Sequence, residues 1–330
     1  MGGAGPDTGA AWGPAASLDV LRARARLLAE TRAFFAERGV LEVETPIASR
    51  AAATDPAIES LVTAWSAPGG RQPLYLQTSP EFPMKRLLAA ESGPIYQICK
   101  VFRDGERGRL HHPEFSLLEW YRPGWSYERL MDEVADLVRA VLGRPDLGQE
   151  RLLYRELFRQ RAGIDPWSAD ARSLRERARG LGISGAESLD LEPDGWLDLI
   201  LTHRLEPGLG RGCLTFLCDY PPSQAALARV RPGPVPVAER FELYLEGVEL
   251  ANGFQELTDA AVQGSRFAAD LAERRRLGLP LSPEDHAFLA ALAAGMPAGS
   301  GVALGLDRLL MARVGAGHID EVLAFPIERA

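Results

Sequence analysis

An acidic residue stands inside an apolar and aromatic stretch of the chain, residues 114–121. If this stretch forms a β-strand, successive side chains point to opposite faces. One face then carries Phe115, Leu117, Glu119 and Tyr121. Burial of a carboxylate is costly unless a cation or a hydrogen-bond donor meets it. Glu119 is therefore either half of an internal ion pair with an Arg or Lys elsewhere, or a carboxylate that receives the ammonium group of a substrate.

Two further carboxylates, Glu242 and Glu249, flank a predicted hairpin turn. The dipeptide Glu246-Gly247 suits a two-residue turn. That turn pairs Tyr244 with Glu249 and places Glu242 on the same face, roughly 7–8 Å away. Two such carboxylates repel unless one is protonated, an Arg pairs with them, or a divalent cation such as phosphate-bound Mg²⁺ bridges them. The alternative is two solvated glutamates at the edge of a sheet.

Glycine marks two places where the backbone is expected to bend or to be approached closely. Gly253, inside a predicted strand, is expected to form a bulge, which leaves the face of Glu256 undetermined. Small residues in the strand 301–305 allow a flat ligand to lie against the backbone. Arg308 follows in the first turn of a helix, where it opposes the helix dipole. It is expected either to pair with an acid such as Asp307 or to hold a ligand.

The order of strands and helices along the chain predicts an α+β fold. Predicted strands cover residues 40–45, 74–77, 95–103, 114–122, 213–219, 241–245, 248–254 and 301–305. Predicted helices cover residues 18–39, 80–90, 126–142 and 307–314, with further helices up to residue 294. Ser79 is the predicted N-cap of the second of these helices, with Pro80 at its first position. Because neighbouring strands form hairpins, we expect an antiparallel β-sheet flanked by helices. Residues 1–17, rich in Gly, Ala and Pro, predict a disordered lead-in. Residues 149–208 predict a helical insertion within one domain that spans residues 18–330.

The composition is that of an ordinary globular protein, with 46% hydrophobic residues, 25% charged residues and a net charge of −8. No long block of Lys or Arg is present, which weakens the case for a nucleic-acid-binding protein. The three cysteines form no C-x-x-C pair, so we expect reduced thiols in a cytoplasmic protein. The N-terminus lacks the pattern of a secretory signal, and no segment predicts a membrane span or a membrane partner.

Three segments, taken together and in this order, resemble the three motifs of class II aminoacyl-tRNA synthetases. They are residues 31–46, residues 101–103 with 111–121, and residues 301–311. Within this class the match is nearest to lysyl-tRNA synthetases, through residues 78–81, 112–115 and 252–259. The resemblance covers nearly the whole chain from about residue 18. It implies a class II catalytic fold, an ATP-dependent ligase that activates lysine, and a homodimer built through the first motif.

The resemblance also implies roles for individual residues, with Arg103 and Arg308 as the catalytic residues. Arg103 would hold the α-phosphate of ATP, and Arg308 the γ-phosphate while it covers the adenine, with Phe115 stacked on the other face. The implied ATP site comprises Arg103, Asp104, Glu106, His112, Phe115, Glu249, Leu250, Gly305 and Arg308. The implied lysine site comprises Ser79, Pro80, Glu81, Glu119, Tyr121, Asn252, Glu256 and Ala303. Glu256 would take the ε-ammonium, and Glu242 and Glu249 would hold Mg²⁺.

Two positions depart from the family pattern. The family's Arg-x-Glu, whose Glu reads the adenine amino group, is here Arg103-Asp104-Gly105-Glu106, so the acid comes one residue late. His112 stands where asparagine is usual before Pro-Glu-Phe. It is expected to hydrogen-bond the group that this asparagine contacts in the family.

Only seventeen residues precede the first predicted helix, so no anticodon-binding domain is expected. This architecture resembles the truncated paralogs that transfer (R)-β-lysine, or poorly α-lysine, to a lysine side chain of elongation factor P. Residues 247–254 and 300–305 favour these paralogs, and Ala303 stands where lysyl-tRNA synthetases usually have glycine. One methyl group in a tight pocket typically shifts selectivity by about 1–3 kcal/mol.

Two alternatives to elongation factor P as the partner stay open. A truncated lysyl-tRNA synthetase would share the activation step and acylate tRNA, which the acidic net charge disfavours. A non-catalytic amino-acid sensor would be free to lose its phosphate arginines and metal carboxylates. The chain keeps all four of these, namely Arg103, Arg308, Glu242 and Glu249.

Overall fold

The computed structural model describes residues 12–330, so most of the predicted lead-in, residues 1–17, lies outside the described residues. Its last residues belong to the folded domain. Ala15 and Ala16 donate backbone hydrogen bonds of 2.7 and 3.1 Å to Ala324 and Leu323, and Ala16 is buried. The folded domain therefore begins before the first helix, because this short segment pairs with the C-terminal end of the chain.

Twelve strands and nine α-helices make up the described part of the chain. In chain order the strands are β1 (Leu41–Glu42), β2 (Ala48–Ser49), β3 (Val62–Ala67), β4 (Gly70–Leu76), β5 (Ile95–Phe102), β6 (Glu114–Pro123), β7 (Gly148–Leu153), β8 (Cys213–Tyr220), β9 (Val230–Arg231), β10 (Val237–Leu245), β11 (Val248–Gln255) and β12 (Gly299–Gly305). The helices are α1 (Leu18–Ala36), α2 (Glu81–Ala89), α3 (Tyr127–Leu142), α4 (Tyr154–Leu157), α5 (Ala171–Gly180), α6 (Pro193–Ile200), α7 (Ala260–Leu277), α8 (His286–Gly295) and α9 (Leu306–Val314).

One large sheet organises the domain, in the strand order β1-β5-β6-β12-β11-β10-β8-β7, with β9 beside β10. The pairs β1–β5 and β7–β8 are parallel, and the other neighbours are antiparallel. The strands β2, β4 and β3 form a separate small sheet. The α+β prediction of an antiparallel sheet flanked by helices is confirmed.

The two faces of the large sheet have different roles. One face presents Leu118, Trp120, Val302 and Leu304 to a core that also includes buried residues of α1, α3 and α9. Helix α3 fits this place because its apolar residues recur at helical spacing, Ser126 caps its start, and Gly143 ends it with a φ of 65°. Since side chains alternate along a strand, the residues between those core positions point to the opposite face.

The predicted helical insertion, residues 149–208, is partly wrong. Its first residues form β7, which pairs in parallel with β8 and extends the large sheet. This strand is almost entirely exposed, so its sequence lacks the apolar alternation that reveals a half-buried strand. The rest is helical and packs around a second core that includes Tyr154, Phe158 and Trp196.

Three boundaries in the first hundred residues also differ from prediction. The predicted strand 40–45 is regular only over Leu41–Glu42, whereas the strand predicted at 74–77 begins earlier, at Gly70. Helix α2 is capped at Pro80 rather than at Ser79, whose Oγ accepts a 3.1 Å hydrogen bond from the Glu81 N–H.

Among residues 12–330, no helix combines the length and apolar character that crossing a membrane requires.

Candidate active site

A cavity of about 930 Å³ opens on the sheet face opposite the main core. Its size is at the upper end of the range for small-molecule sites, about 300–1,000 Å³. Most residues of the predicted site line it, namely Ser79, Glu81, Arg103, Glu106, His112, Phe115, Glu119, Tyr121, Glu249, Leu250, Asn252, Glu256, Ala303, Gly305 and Arg308. The structure therefore brings residues from distant parts of the sequence to one place.

Three predicted site residues do not line this cavity: Pro80, Asp104 and Glu242. Pro80 is the cap of α2. Asp104 is exposed, and its Oδ1 accepts a 2.9 Å hydrogen bond from the Gly105 N–H in the loop. Glu242 is buried, and Arg240 and the Tyr244 hydroxyl each donate a 2.5 Å hydrogen bond to it.

Four side-chain positions form a row across neighbouring strands of the sheet. Glu119 on β6 pairs with Ala303 on β12, which pairs with Asn252 on β11, which pairs with Glu242 on β10. Paired residues of adjacent strands point to the same face. At about 4.8 Å per strand, the row spans about 14 Å from Glu119 to Glu242. The Ala303 methyl group thus stands between a carboxylate and an amide of the cavity wall.

The predicted alternation along β6 is confirmed, since Phe115, Leu117, Glu119 and Tyr121 all line the cavity. The Tyr121 hydroxyl donates a 2.6 Å hydrogen bond to Glu119 Oε1, whereas Glu119 Oε2 is buried without a partner. Burial, reinforced by the neighbouring Glu81, raises the pKa of Glu119 to about 8. No Arg or Lys of residues 12–330 lies within 4.0 Å of Glu119, so the internal ion-pair alternative is wrong.

A buried lysine joins two of the predicted lysine-binding carboxylates. Lys85 Nζ lies 2.6 Å from Glu81 Oε1 and 2.5 Å from Glu256 Oε2. Burial acts to lower the pKa of Lys85, but the two carboxylates outweigh it and raise that pKa. Burial raises the pKa of Glu256 to about 7, against the opposing effect of Lys85. Lys85 was not predicted as a site residue, although its i, i+4 spacing from Glu81 on a helix indicates that the two side chains meet.

Gly301 allows Tyr121 and Glu256 to meet at one point of the wall. A Cβ atom at Gly301 would lie 2.3 Å from Tyr121 Cε1 and 2.5 Å from Glu256 Oε1. These separations are shorter than the van der Waals contact distances between carbon atoms or between carbon and oxygen. The glycine predicted to admit a ligand thus admits two side chains of the site itself.

Two arginines stand at the other end of the cavity. Arg103 lies over the Phe115 ring, with Cζ 5.1 Å from the ring centroid, and its NH1 is 3.5 Å from Glu106. Glu106 therefore reaches the cavity although it comes one residue late in the motif. The geometry combines a flat aromatic surface with a cation, which suits a nucleotide base next to a phosphate.

Arg308 is held by groups other than its neighbour Asp307. Its NH1 donates to the Glu249 carbonyl at 2.8 Å and to Glu249 Oε2 at 3.1 Å, and NH2 lies 2.9 Å from His111 Nε2. Asp307 instead accepts from Arg24 and from the Ser116 N–H, so Arg308 pairs with an acid as the alternative predicted, but that acid is Glu249 and not Asp307. His111 was not predicted as a site residue, and burial, together with Arg308, lowers its pKa.

His112 is already engaged on both ring nitrogens. Nε2 accepts a 2.9 Å hydrogen bond from the Ile327 N–H, and Nδ1 lies 2.6 Å from the Glu114 carbonyl oxygen. Because Nε2 accepts, we assign the proton to Nδ1, which donates to Glu114. His112 therefore anchors the C-terminal segment beneath the cavity, and the predicted hydrogen bond to ATP would have to displace these contacts.

The hairpin that carries Glu242 and Glu249 has the predicted turn and the predicted Tyr244–Glu249 pair. The bulge, however, falls at Leu250, where the register shifts, and not at Gly253, which pairs regularly with Phe241. Gly253 is instead required for packing, because a Cβ atom there would lie 2.4 Å from the Phe241 ring.

Glu242 and Glu249 fit a magnesium ion only as part of its ligand set. Burial and the nearby Glu242 raise the pKa of Glu249, although Arg308 acts in the opposite direction. Residues 12–330 contain no cluster of three or more His, Cys, Asp or Glu side chains arranged for a metal. Two carboxylates match Mg²⁺ that is bound mainly through phosphate oxygens and water.

Comparisons with known proteins agree with this geometry. The family model of class II tRNA synthetases for D, K and N matches residues 15–329. A protein of Enterobacter sp. (strain 638), named elongation factor P–(R)-β-lysine ligase, is 48% identical over 323 residues, covering 97% of this chain and 99% of that protein. Proteins of Salmonella dublin and Salmonella paratyphi B with the same name are each 49% identical over the same share of both chains. This chain therefore belongs to the class II tRNA synthetases of the D, K and N group.

Proposed function

We propose that this enzyme activates lysine or (R)-β-lysine with ATP and transfers the aminoacyl group to a lysine side chain of elongation factor P. One observation carries the activation step: a single cavity is lined by Arg103 and Arg308 at the Phe115 end of β6 and by the carboxylates Glu81, Glu119 and Glu256 towards its Tyr121 end. Cations at one end suit phosphates, and carboxylates at the other suit amino groups. The names of the relatives support elongation factor P as the acceptor.

The first step forms a mixed anhydride. A carboxylate oxygen of the amino acid attacks the α-phosphorus of ATP, the bond to the bridging oxygen breaks, and pyrophosphate leaves. Such chemistry depends on alignment and charge neutralisation more than on proton transfer. Arg103, stacked over Phe115, would neutralise the α-phosphate. Mg²⁺, held by Glu242, Glu249 and phosphate oxygens, would supply further charge neutralisation and orientation.

The second step moves the aminoacyl group to the acceptor. The ε-nitrogen of the acceptor lysine attacks the carbonyl carbon, an amide bond forms, and AMP leaves with the bonding electrons. The acceptor amine must lose a proton before it attacks. The attack of an amine on the carbonyl carbon is the same reaction whether the amine belongs to a protein or to another molecule. The acceptor therefore has to be identified by experiment.

Selection of lysine follows from the electrostatics of the wall. Glu119 has one buried oxygen without a partner, and an ammonium group placed there would satisfy it. An amino acid with an uncharged side chain would leave a buried carboxylate unsatisfied, at a cost of about 1–3 kcal/mol or more. The wall therefore discriminates by loss of interactions and not by size alone.

We propose that the enzyme works as a homodimer in the cytoplasm. Apolar side chains are exposed near the short first-motif strand and on the hairpin β3–β4, including Leu41, Ile47, Val62 and Trp65. Burial of such a group against a second copy would remove it from water. The three cysteines of the described chain are free thiols, in keeping with a reducing compartment.

A labelled-lysine transfer assay tests the proposal. The purified protein is given ATP and Mg²⁺ with α-lysine or (R)-β-lysine, and either elongation factor P or bulk tRNA as the acceptor. We expect label on elongation factor P, stronger with the β isomer. Label on tRNA alone would replace the proposal with a truncated lysyl-tRNA synthetase. Pyrophosphate exchange without transfer to either would refute the acceptor and leave activation standing.

A further inference from the structure

Lys85 is a buried cation behind the wall that would receive the amino groups of the substrate. Its side chain is 0% exposed, and it does not line the cavity, whereas its two partners, Glu81 and Glu256, do. It therefore cannot touch a bound amino acid directly. Anything it does for the reaction it does through these two carboxylates.

The two carboxylates reach Lys85 from distant parts of the fold. Glu81 lies one helical turn before Lys85 on α2, and Glu256 follows the end of β11. Each is within 2.6 Å of the same Nζ atom. A shared cation fixes the position of both side chains, because without it two neighbouring carboxylates would have no positive partner.

The net charge of the side chains in this pocket matches the charge of two ammonium groups. With the two ammonium groups of a substrate in place, the ionised carboxylates of Glu81, Glu119 and Glu256 would contribute three negative charges, and Lys85 contributes one positive charge. The difference is a net charge of −2. Lysine and β-lysine each carry two ammonium groups, so the pocket and these two groups neutralise each other.

We propose that Lys85 is a positioning residue that sets the net charge of the amino-acid pocket to match a substrate with two ammonium groups. It holds Glu81 and Glu256 in place, and leaves the unpartnered oxygen of Glu119 for the substrate. This proposal rests on the proposed activation of lysine and adds the reason why a diamino acid is selected.

The other titratable groups around the pocket are consistent with this role. Tyr121 on β6 donates to Glu119, and burial raises the pKa of that hydroxyl well above its ordinary value, so it stays neutral. Burial likewise raises the pKa of the Cys99 thiol on β5, near Glu119, to about 12. Neither group contributes charge near neutral pH, and Lys85 is the one cation that contacts the pocket carboxylates of the described chain.

Removal of the charge has a defined consequence. An opposite charge at this distance lowers a carboxyl pKa by about 1–3 units, so in Lys85→Met the pKa of Glu256 rises by about that amount. At pH 7 the protonated carboxyl no longer attracts an ammonium group. We expect the KM for lysine to rise by at least about tenfold at pH 7, with part of the loss recovered as the pH is raised to 8.5, while the KM for ATP changes little.

Two matched variants separate charge from packing. Lys85→Arg keeps the charge and changes the shape, and we expect its pH profile for lysine to stay near that of the unaltered enzyme. The double variant Lys85→Met with Glu81→Gln removes one charge of each sign and restores the net charge of −2. Removal of both partners of a buried pair is commonly tolerated where removal of one is not, so this variant also serves if Lys85→Met fails to fold.

The assay is lysine-dependent pyrophosphate exchange between pH 6 and 8.5, which needs no protein or tRNA acceptor. A higher KM for lysine in Lys85→Met that the double variant partly reverses supports the proposal. It is overturned if Lys85→Met keeps the KM and pH profile of the unaltered enzyme, or if the folded double variant binds lysine no better than Lys85→Met. Absence of exchange in the unaltered enzyme would count against the proposed function itself.

Discussion

Replacement of Gly301 by alanine is expected to damage lysine activation specifically. The added Cβ would lie 2.3 Å from the Tyr121 ring and 2.5 Å from Glu256 Oε1, so one or both side chains must move. Forcing a methyl group into a packed site typically costs about 1–3 kcal/mol. If that cost falls on the arrangement that binds the amino acid, kcat/KM for lysine drops by about 5- to 150-fold.

The assay is pyrophosphate exchange with lysine and ATP varied separately. We expect the KM for lysine to rise and the KM for ATP to stay close to its original value, because Arg103 and Phe115 stand at the other end of the cavity. Gly148→Ala is the matched control, since it is also a strand glycine and its added Cβ would be 3.9 Å from the Cys213 Cβ. A Gly301→Ala enzyme with unchanged lysine kinetics would refute the close approach on which the reasoning depends.

Three further predictions concern the amino-acid wall. Glu256→Gln should weaken lysine-dependent exchange far more than ATP binding, which equilibrium binding of each ligand measures; equal losses would contradict the assignment. The pKa of Glu119 is about 8 against an ordinary 4.5, so the folded state holds a proton that the unfolded state releases, and the free energy of unfolding should fall as pH rises between these values. Thermal melts at pH 5 and 8 check this, and Glu119→Gln should remove that contribution. Ala303→Gly should shift the preference between α- and β-lysine by about 1–3 kcal/mol, as the ratio of kcat/KM for the two isomers reports.

Local patterns in the sequence predicted those parts of the site that depend on one strand or one turn. The face of Glu119 follows from alternation alone, and the pairing of Tyr244 with Glu249 follows from the turn dipeptide. Both needed no knowledge of distant contacts. The ordered motifs then placed Arg103 and Arg308 at one cavity, which composition and spacing alone could not have done.

Residues whose role depends on distant partners were mispredicted or missed. Lys85 looks in sequence like half of an ordinary surface pair with Glu81, and only the approach of Glu256 makes it a buried counter-ion. His112 was predicted to bind a ligand, but its Nε2 accepts a hydrogen bond from the N–H of Ile327, near the far end of the chain. In each case the deciding contact comes from a segment that local patterns do not connect.

The position of one β-bulge decides which residues of β11 face the cavity. In a regular antiparallel register the pair Tyr244–Glu249 would continue with Glu242 opposite Ala251, but the irregularity at Leu250 places Asn252 there. A shift by one residue moves every later side chain of the strand to the other face. Ala251, which would otherwise share the face of Glu249, consequently joins Leu250 in the core, while Asn252 joins the row that begins at Glu119.

The same shift explains how one strand provides a side chain at each end of the cavity. Before the bulge, Glu249 faces the cavity and meets Arg308 at the nucleotide end. After it, Asn252 faces the cavity, and so does Glu256, two alternations later, at the amino-acid end. Without an extra residue, Glu249 and Glu256, seven positions apart, would point to opposite faces. The bulge at Leu250 is therefore what allows a single strand to present a phosphate-side carboxylate and an ammonium-side carboxylate to one cavity.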